Sequence, residues 1–205
     1  MSQADVLSVV VTVSTAIFVA ELADKDALFL LTLATKKRPL WVFAAGSVAF
    51  TATAAIIVVI GSAIVNLVPV AWVKLAGGLI MVGYGFWEFA KGTAEAESIE
   101  GREAKLLRRQ DHRWAAFAAA VGALMVLDLA GDATELLIVV FVAQYQEALL
   151  VFLASVAGLI VATAVETVMG SRLSRLLTAK RIRYFSILVP LAIGAAVIAS
   201  SVLSL

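Results

Sequence analysis

The chain has no cysteine among its 205 residues and a single histidine, His112. Disulfides, thiolate metal sites and cysteine nucleophiles are thereby excluded. The short alternating strands of an outer-membrane barrel are also missing, because the apolar runs are continuous in Ala, Val, Leu and Ile with embedded Gly, as helices allow. No basic groove or aromatic platform accompanies the positive charges, so nucleic acid is not an expected partner. The N-terminus lacks the basic flank of a secretory signal. Its first apolar run continues into the charged stretch 21–26 rather than a cleavage site, and is expected to be retained as the first span.

What the chain has in excess is apolar surface. Hydrophobic residues make up 62% of it and the mean hydropathy is +1.02, far beyond the roughly 45–50% apolar usage of soluble domains. The apolar material falls into six runs, 6–34, 40–65, 70–90, 114–143, 148–169 and 184–205, each near or above the ~20 residues that cross a hydrocarbon core. The expected fold is therefore all-α: a polytopic membrane protein with six transmembrane helices.

A net charge of +1 conceals a strong asymmetry. Lys36, Lys37 and Arg38 follow the first run; Lys91, Arg102, Lys105, Arg108, Arg109 and Arg113 follow the third; Arg172, Arg175, Lys180, Arg181 and Arg183 follow the fifth. The loops at 66–69 and 144–147 carry no basic residue, and Lys74, just inside the third run, is the nearest exception. Basic residues collect on the cytoplasmic side, which places both termini on the non-cytoplasmic side. The expected location is a prokaryotic plasma membrane. The segment 92–113, with AEAESIEGREAKLLRR suggesting intermittent helix, reads as a cytoplasmic linker whose arginines anchor it on the inside, with lipid binding or regulation as the alternative.

Dividing the chain at that linker gives 1–91 and 114–205, with three spans each, and an odd number of spans makes the second half enter the membrane in the opposite direction. This is inverted-repeat arithmetic. The first span holds Ala20-Glu21-Leu22-Ala23-Asp24-Lys25-Asp26, and the fourth holds Leu127-Asp128-Leu129-Ala130-Gly131-Asp132-Ala133-Thr134-Glu135. ELAD and DLAGD form one theme with a single-residue insertion, and Glu21 and Asp128 lie near the middle of their runs.

Carboxylates at that depth need a reason, since each ionised Asp costs about 2.5–3.5 kcal/mol at a helix centre on insertion scales. On an unbroken helix Asp128, Asp132 and Glu135 fall on one stripe. Glu21, Asp24 and Lys25 likewise share a face, while Asp26 points away unless the helix is broken there, as helices in transporter sites often are. A static polar core, with acids paired to Lys25, is the plain alternative. One lysine cannot neutralise six carboxylates, so protons, water or a cation must handle the rest. Burial and mutual repulsion favour protonated carboxyls, and an entering cation would displace those protons. Lys25 either pairs with a carboxylate or serves in coupling.

With neither Cys nor His in the spans, the ligands are oxygens, which suit Ca2+, Mn2+ or Mg2+ better than copper or zinc. His112 reads as a surface residue. Thr134 either supplies an oxygen or bonds its own backbone. No cofactor is expected beyond the transported cation.

The paired motifs resemble the E-x-G-D-[KR]-[TS] signature of the small cation/proton exchangers that include Golgi calcium/manganese transporters and bacterial manganese exporters. The similarity runs from the first span to the last. In the first half, AELADKDALFLLTLATKKRP matches through Glu21, Asp24 and Lys25, with Ala23 in place of the Gly and Asp26 in place of the hydroxyl residue. In the second, LDLAGDATELL matches through Gly131, Asp132 and Thr134. There Ala133 stands at the Lys position and the leading acid, Asp128, lies one residue farther out. The chain thus resembles a divergent member, and a neighbouring family of the same superfamily, with amino-acid and cadmium exporters, is the alternative. The resemblance implies an ion site of Glu21, Asp24, Asp128 and Asp132 at a pseudo-two-fold axis, with Asp26 and Glu135 as extra acids.

The expected function is exchange of Mn2+ or Ca2+ for protons, and the chain is not expected to be an enzyme. A cation channel or uniporter remains the principal alternative. An intramembrane aspartyl protease would need a Tyr-Asp and a Gly-x-Gly-Asp, and the sequence has neither. Glu166, near the cytoplasmic end of the fifth span, reads as a snorkelling or helix-end carboxylate, with a gate as the alternative. Gly77, Gly78, Gly83 and Gly85 permit close helix contact, within the molecule or in a homodimer. Trp41, Trp72, Trp87 and Trp114 read as interfacial anchors.

Overall fold

The structure is a computed structural model that describes residues 3–22, 25–91, 113–129, 133–168 and 179–202. All its regular elements there are helices: α1 (Gln3–Leu22), α2 (Lys25–Lys36), α3 (Pro39–Leu67), α4 (Val70–Lys91), α5 (Arg113–Asp128), α6 (Ala133–Tyr145), α7 (Ala148–Val168) and α8 (Ala179–Val202). Five stretches are long and apolar enough to cross a membrane: Gln3–Leu22, Pro39–Leu67, Val70–Ala90, Ala148–Val168 and Tyr184–Val202. Two shorter apolar stretches, Ala116–Val126 and Ala133–Tyr145, accompany them. The linker reading over 92–112 lies outside the described residues.

The first and fourth runs are each described as two helices, α1 to Leu22 and α2 from Lys25, α5 to Asp128 and α6 from Ala133, with residues 23–24 and 130–132 outside the described residues. Asp128 and Glu135 belong to different helices, as do Glu21 and Lys25.

The halves that follow the breaks are the most enclosed. In α6, Ala133, Thr134, Glu135, Leu137, Ile138 and Val140 through Ala143 are all buried, and in α2 so are Ala27, Phe29, Leu30, Leu31, Leu33 and Ala34. Neither can present a polar backbone end to lipid, as a helix interrupted in a membrane requires. The outer helices are apolar all round. Leu7, Val11, Val59, Leu79, Phe86, Leu153 and Leu188 are exposed, as a lipid-facing surface would be. Trp72, Trp87 and Trp114 are exposed too, while Trp41 is half-buried and meets Phe117 edge-on at 5.8 Å.

Packing relates the two halves element by element. Helix α1 packs on α7 as α5 packs on α3; α2 packs on α7 and α8 as α6 packs on α3 and α4. The most extensive contact joins α4 to α8, and α3 joins α7. Glycine makes two of these approaches possible. A Cβ at Gly194 would lie 2.8 Å from the Gly78 carbonyl oxygen, and one at Gly158 would lie 2.5 Å from the carbonyl oxygen of Ser14. Gly77 and Gly85 face Val140 and Leu191 in the same close manner, whereas Gly83 meets nothing within 4 Å.

The direction of α7 follows from its neighbours. Gly158, at its middle, lies against Ser14, Ile17 and Phe18 of α1, and Thr163, nearer its end, lies at Gly46 beside Leu30 of α2. Moving along α7 thus follows the chain from α1 into α2, so α1 and α7 run the same way. The two-residue connection 146–147, where Gln146 takes a left-handed φ of 55°, turns the chain sharply between α6 and α7. Helix α6 consequently runs opposite to α1.

Because Gly158 seats α7 on the α1 backbone, Gly158→Val is expected to destabilise the bundle by about 1–3 kcal/mol through overpacking. Gly83→Ala should leave stability unchanged. Thermal unfolding of the two variants in detergent checks both.

Candidate cation site at the helix breaks

Helix α1 buries a stripe at Val9, Val13, Ile17, Ala20 and Glu21, spaced three and four residues apart as one helix face demands. Glu21 continues an apolar stripe and is carried inward with it, to 1% exposure. It is the penultimate residue of α1. Asp128 occupies the corresponding place in the other half: it is the last residue of α5 and 5% exposed. The Leu129 amide donates to the Met125 carbonyl at 2.9 Å as that helix closes.

On the far side of the second break stand Thr134, 1% exposed, and Glu135, 8% exposed, both in the first turn of α6. An acid in a first helical turn is favourably placed against the positive end of the helix dipole. Acids in a last turn, as Glu21 and Asp128 are, face the negative end. The buried acids thus fall into two electrostatic kinds.

Several hydroxyls elsewhere in the bundle are occupied by their own helices. Thr53 donates to the Ala49 carbonyl at 2.8 Å, Ser62 to Val58 at 2.7 Å and Thr163 to Leu159 at 2.8 Å. Thr134 differs because, as the second residue of α6, it has no carbonyl four residues back within its own helix. Its Oγ1 is buried with no hydrogen-bond partner among the described residues.

Of the residues marked from sequence, Glu21, Asp128, Thr134 and Glu135 are buried at the two breaks. Asp24 and Asp132 lie outside the described residues, as does His112, and of Lys25 and Asp26 only the helical backbone is described. No group of three or more carboxylate or imidazole side chains converges among the described residues. Helix α1 packs on α6 and α2 on α5.

One acid is placed otherwise than expected. Glu166 is 0% exposed, so it cannot be a snorkelling carboxylate. It lies on the buried stripe of α7 that includes Ser155, Gly158, Ala162 and Thr163. The signal was present in the sequence: small residues at spacings of three and four mark a face that meets other helices, and Glu166 continues that spacing from Gly158 and Ala162.

The family model for the divalent cation/proton antiporter GDT1 matches twice, over residues 9–96 and 116–204. The chain belongs to this family. It is accordingly an integral membrane protein of a transporter family, not of an enzyme family, and its general activity is antiport of a divalent cation and protons. No curated protein and no solved structure matches it. The two matched stretches each contain one interrupted helix followed by two continuous ones.

Thr134, like Ser47 and Ser155, has a buried hydroxyl that no hydrogen bond among the described residues engages, and it alone of the three is next in sequence to one of the buried acids, Glu135. Thr134→Val is expected to weaken Mn2+ binding about 3–10-fold, the value of roughly one neutral polar contact, with folding intact. Thr53→Val should not change it. Equilibrium Mn2+ binding to the purified variants makes the comparison.

Proposed function

We propose that this antiporter exchanges Mn2+ or Ca2+ for protons at a carboxylate site shared by two inverted repeats, 1–91 and 114–205, joined by the cytoplasmic linker 92–113. One observation carries the reading: Glu21 and Asp128 are both buried at C-terminal ends of interrupted helices. Unsatisfied carbonyls there carry partial negative charge, which adds to that of the carboxylate. Such a place suits a cation and disfavours a bare anion, and interrupted helices in transporters commonly hold cations in this way.

Glu21, Asp24, Asp128 and Asp132 are the principal ligands in this reading, joined by Thr134 and Glu135. A set of oxygens without sulfur or imidazole suits a hard cation. Several carboxyls enclosed together resist being ionised simultaneously, so in the empty site they hold protons. An entering dication takes over the role of those protons, and the charge of the site changes little across the cycle. Lys25 balances one carboxylate when the cation is absent, while Asp26 and Glu135 adjust selectivity or the number of protons exchanged.

The opposed directions of α1 and α6, together with the matched packing of the halves, support inversion. Rocking one repeat against the other would expose the site to either face in turn. The basic segments 36–38, 91–113 and 172–183 face the cytoplasm and both termini face the opposite side, as the distribution of Lys and Arg favours.

Proteoliposomes containing an internal pH dye test the proposal on addition of Mn2+, Ca2+, Mg2+ or Cd2+. Cation-driven proton movement is expected with Mn2+ or Ca2+, reduced about 10–100-fold by Glu21→Gln or Asp128→Asn, the scale of one lost charged ligand. Cation uptake with no proton signal would instead establish a channel or uniporter. For Glu135→Gln the expectation is altered ion preference or proton stoichiometry with transport retained; both unchanged would remove Glu135 from the site.

A further inference from the structure

Neither motif contains Glu166, yet it is completely buried in a bundle whose outer helices are apolar. Its level follows from the packing already described. Gly158 lies beside Ile17. From there Glu21 is four residues onward along α1, about 6 Å, and Glu166 is eight residues onward along the parallel α7, about 12 Å. Glu166 therefore lies about one helical turn, roughly 6 Å, beyond Glu21, on the side where α2 ends and α3 begins.

Three helices close around that level. Thr163, one turn before Glu166, meets Gly46 of α3, and Leu30 of α2 meets the same glycine. The hydroxyls of Thr163 and Thr167 donate to their own helix, at 2.8 Å to Leu159 and 2.6 Å to the Thr163 carbonyl, which leaves their oxygens' acceptor side turned outward from those bonds. Three turns earlier on the stripe, fully buried Ser155 has a hydroxyl with no partner among the described residues. The stripe of α7 thus places polar oxygen above and below the level of Glu21. Ionised acids that deep in a membrane protein are costly and commonly line ion pathways.

We infer that Glu166 is a further acid of the transport path, a stopping point for the divalent cation between the site at the helix breaks and the membrane face bearing the α2–α3 turn. The inference rests on the carboxylate-site reading above. It assigns a role to a residue outside both repeats of the motif and makes the path asymmetric, because the corresponding helix of the other half, α3, is apolar or hydroxylic from Pro39 to Leu67 apart from Asn66 at its end. Cation entering from the α2–α3 face meets Glu166 before Glu21, whereas cation from the opposite face does not.

The absence of native cysteine permits a direct test. Glu166→Cys in proteoliposomes is treated from either face with a charged, membrane-impermeant thiol reagent, with and without Mn2+. Modification from the α2–α3 face, slowed several-fold by Mn2+, is expected; no modification from either face, or modification indifferent to Mn2+, overturns the inference. Transport by Glu166→Asp and Glu166→Gln gives a second readout. A cation stop needs the charge, so Asp should keep more activity than Gln, with KM raised mainly for cation supplied at the α2–α3 face. A merely structural carboxylate gives the reverse order, since Gln preserves its shape, and that result also overturns the inference. Wild-type exchange that Glu21→Gln abolishes shows that the parent reading stands whichever way Glu166 falls; wild-type protein moving neither Mn2+ nor Ca2+ would mean that the parent reading itself had failed.

Discussion

A helix that stops inside a membrane leaves carbonyl and amide groups with no water to satisfy them, so an interruption survives only where protein or a polar cavity surrounds it. In this structure two apolar runs are each described as a pair of helices, α1 with α2 and α5 with α6, and the remaining helices pack on them. In the short helices α2 and α6 most of the side chains that are described are buried, while long apolar helices with exposed flanks accompany them. Glycines set the distance between layers: Gly158 brings α7 onto the α1 backbone and Gly194 brings α8 onto α4. Enclosure and interruption are thus one design problem, and acidic residues placed at the interruption inherit the enclosure.

The membrane class and the all-helical fold were legible because hydropathy is additive along a chain and needs no tertiary information. Glu21 was legible too, since an acid that continues the stripe Val9, Val13, Ile17 is carried into whatever that stripe packs against. The interruptions were not. Ala23-Asp24 and Ala130-Gly131-Asp132 are short, contain no proline and lie in runs that hydropathy joins without a seam. Asp128 closes α5 and Glu135 lies in the first turn of α6, two helices that a hydropathy run does not separate. The stripe drawn through Asp128, Asp132 and Glu135 failed for that reason.

Glu166 illustrates the opposite error. Its position near the end of a span suggested access to the interface, because distance along the sequence was taken as depth. Depth in a bundle depends on which helices surround the end of a span. Helix α7 packs on α1, α2 and α3, and in its last turn Glu166 and Thr167 are both buried while Val168 beside them is exposed. Helix α8, by contrast, leaves Tyr184 and Phe185 exposed near its start.

In the proposed carboxylate-site reading, the placement of charge relative to helix ends also bears on why a dication rather than a fixed lysine would serve the site. A permanent ammonium would neutralise one acid in every state of the cycle and hold the halves together through the same contact throughout. A cation that arrives and leaves, exchanged against protons, stabilises the closed site only while it is present, and that conditional stabilisation is what lets binding bias the positions of two rigid halves. Two acids at C-terminal helix ends make the dependence steep, since each end contributes about half a charge of the same sign as its acid. Moving either acid to the first turn of the following helix would reverse the sign of that contribution. Glu135 already occupies such a position, in the first turn of α6.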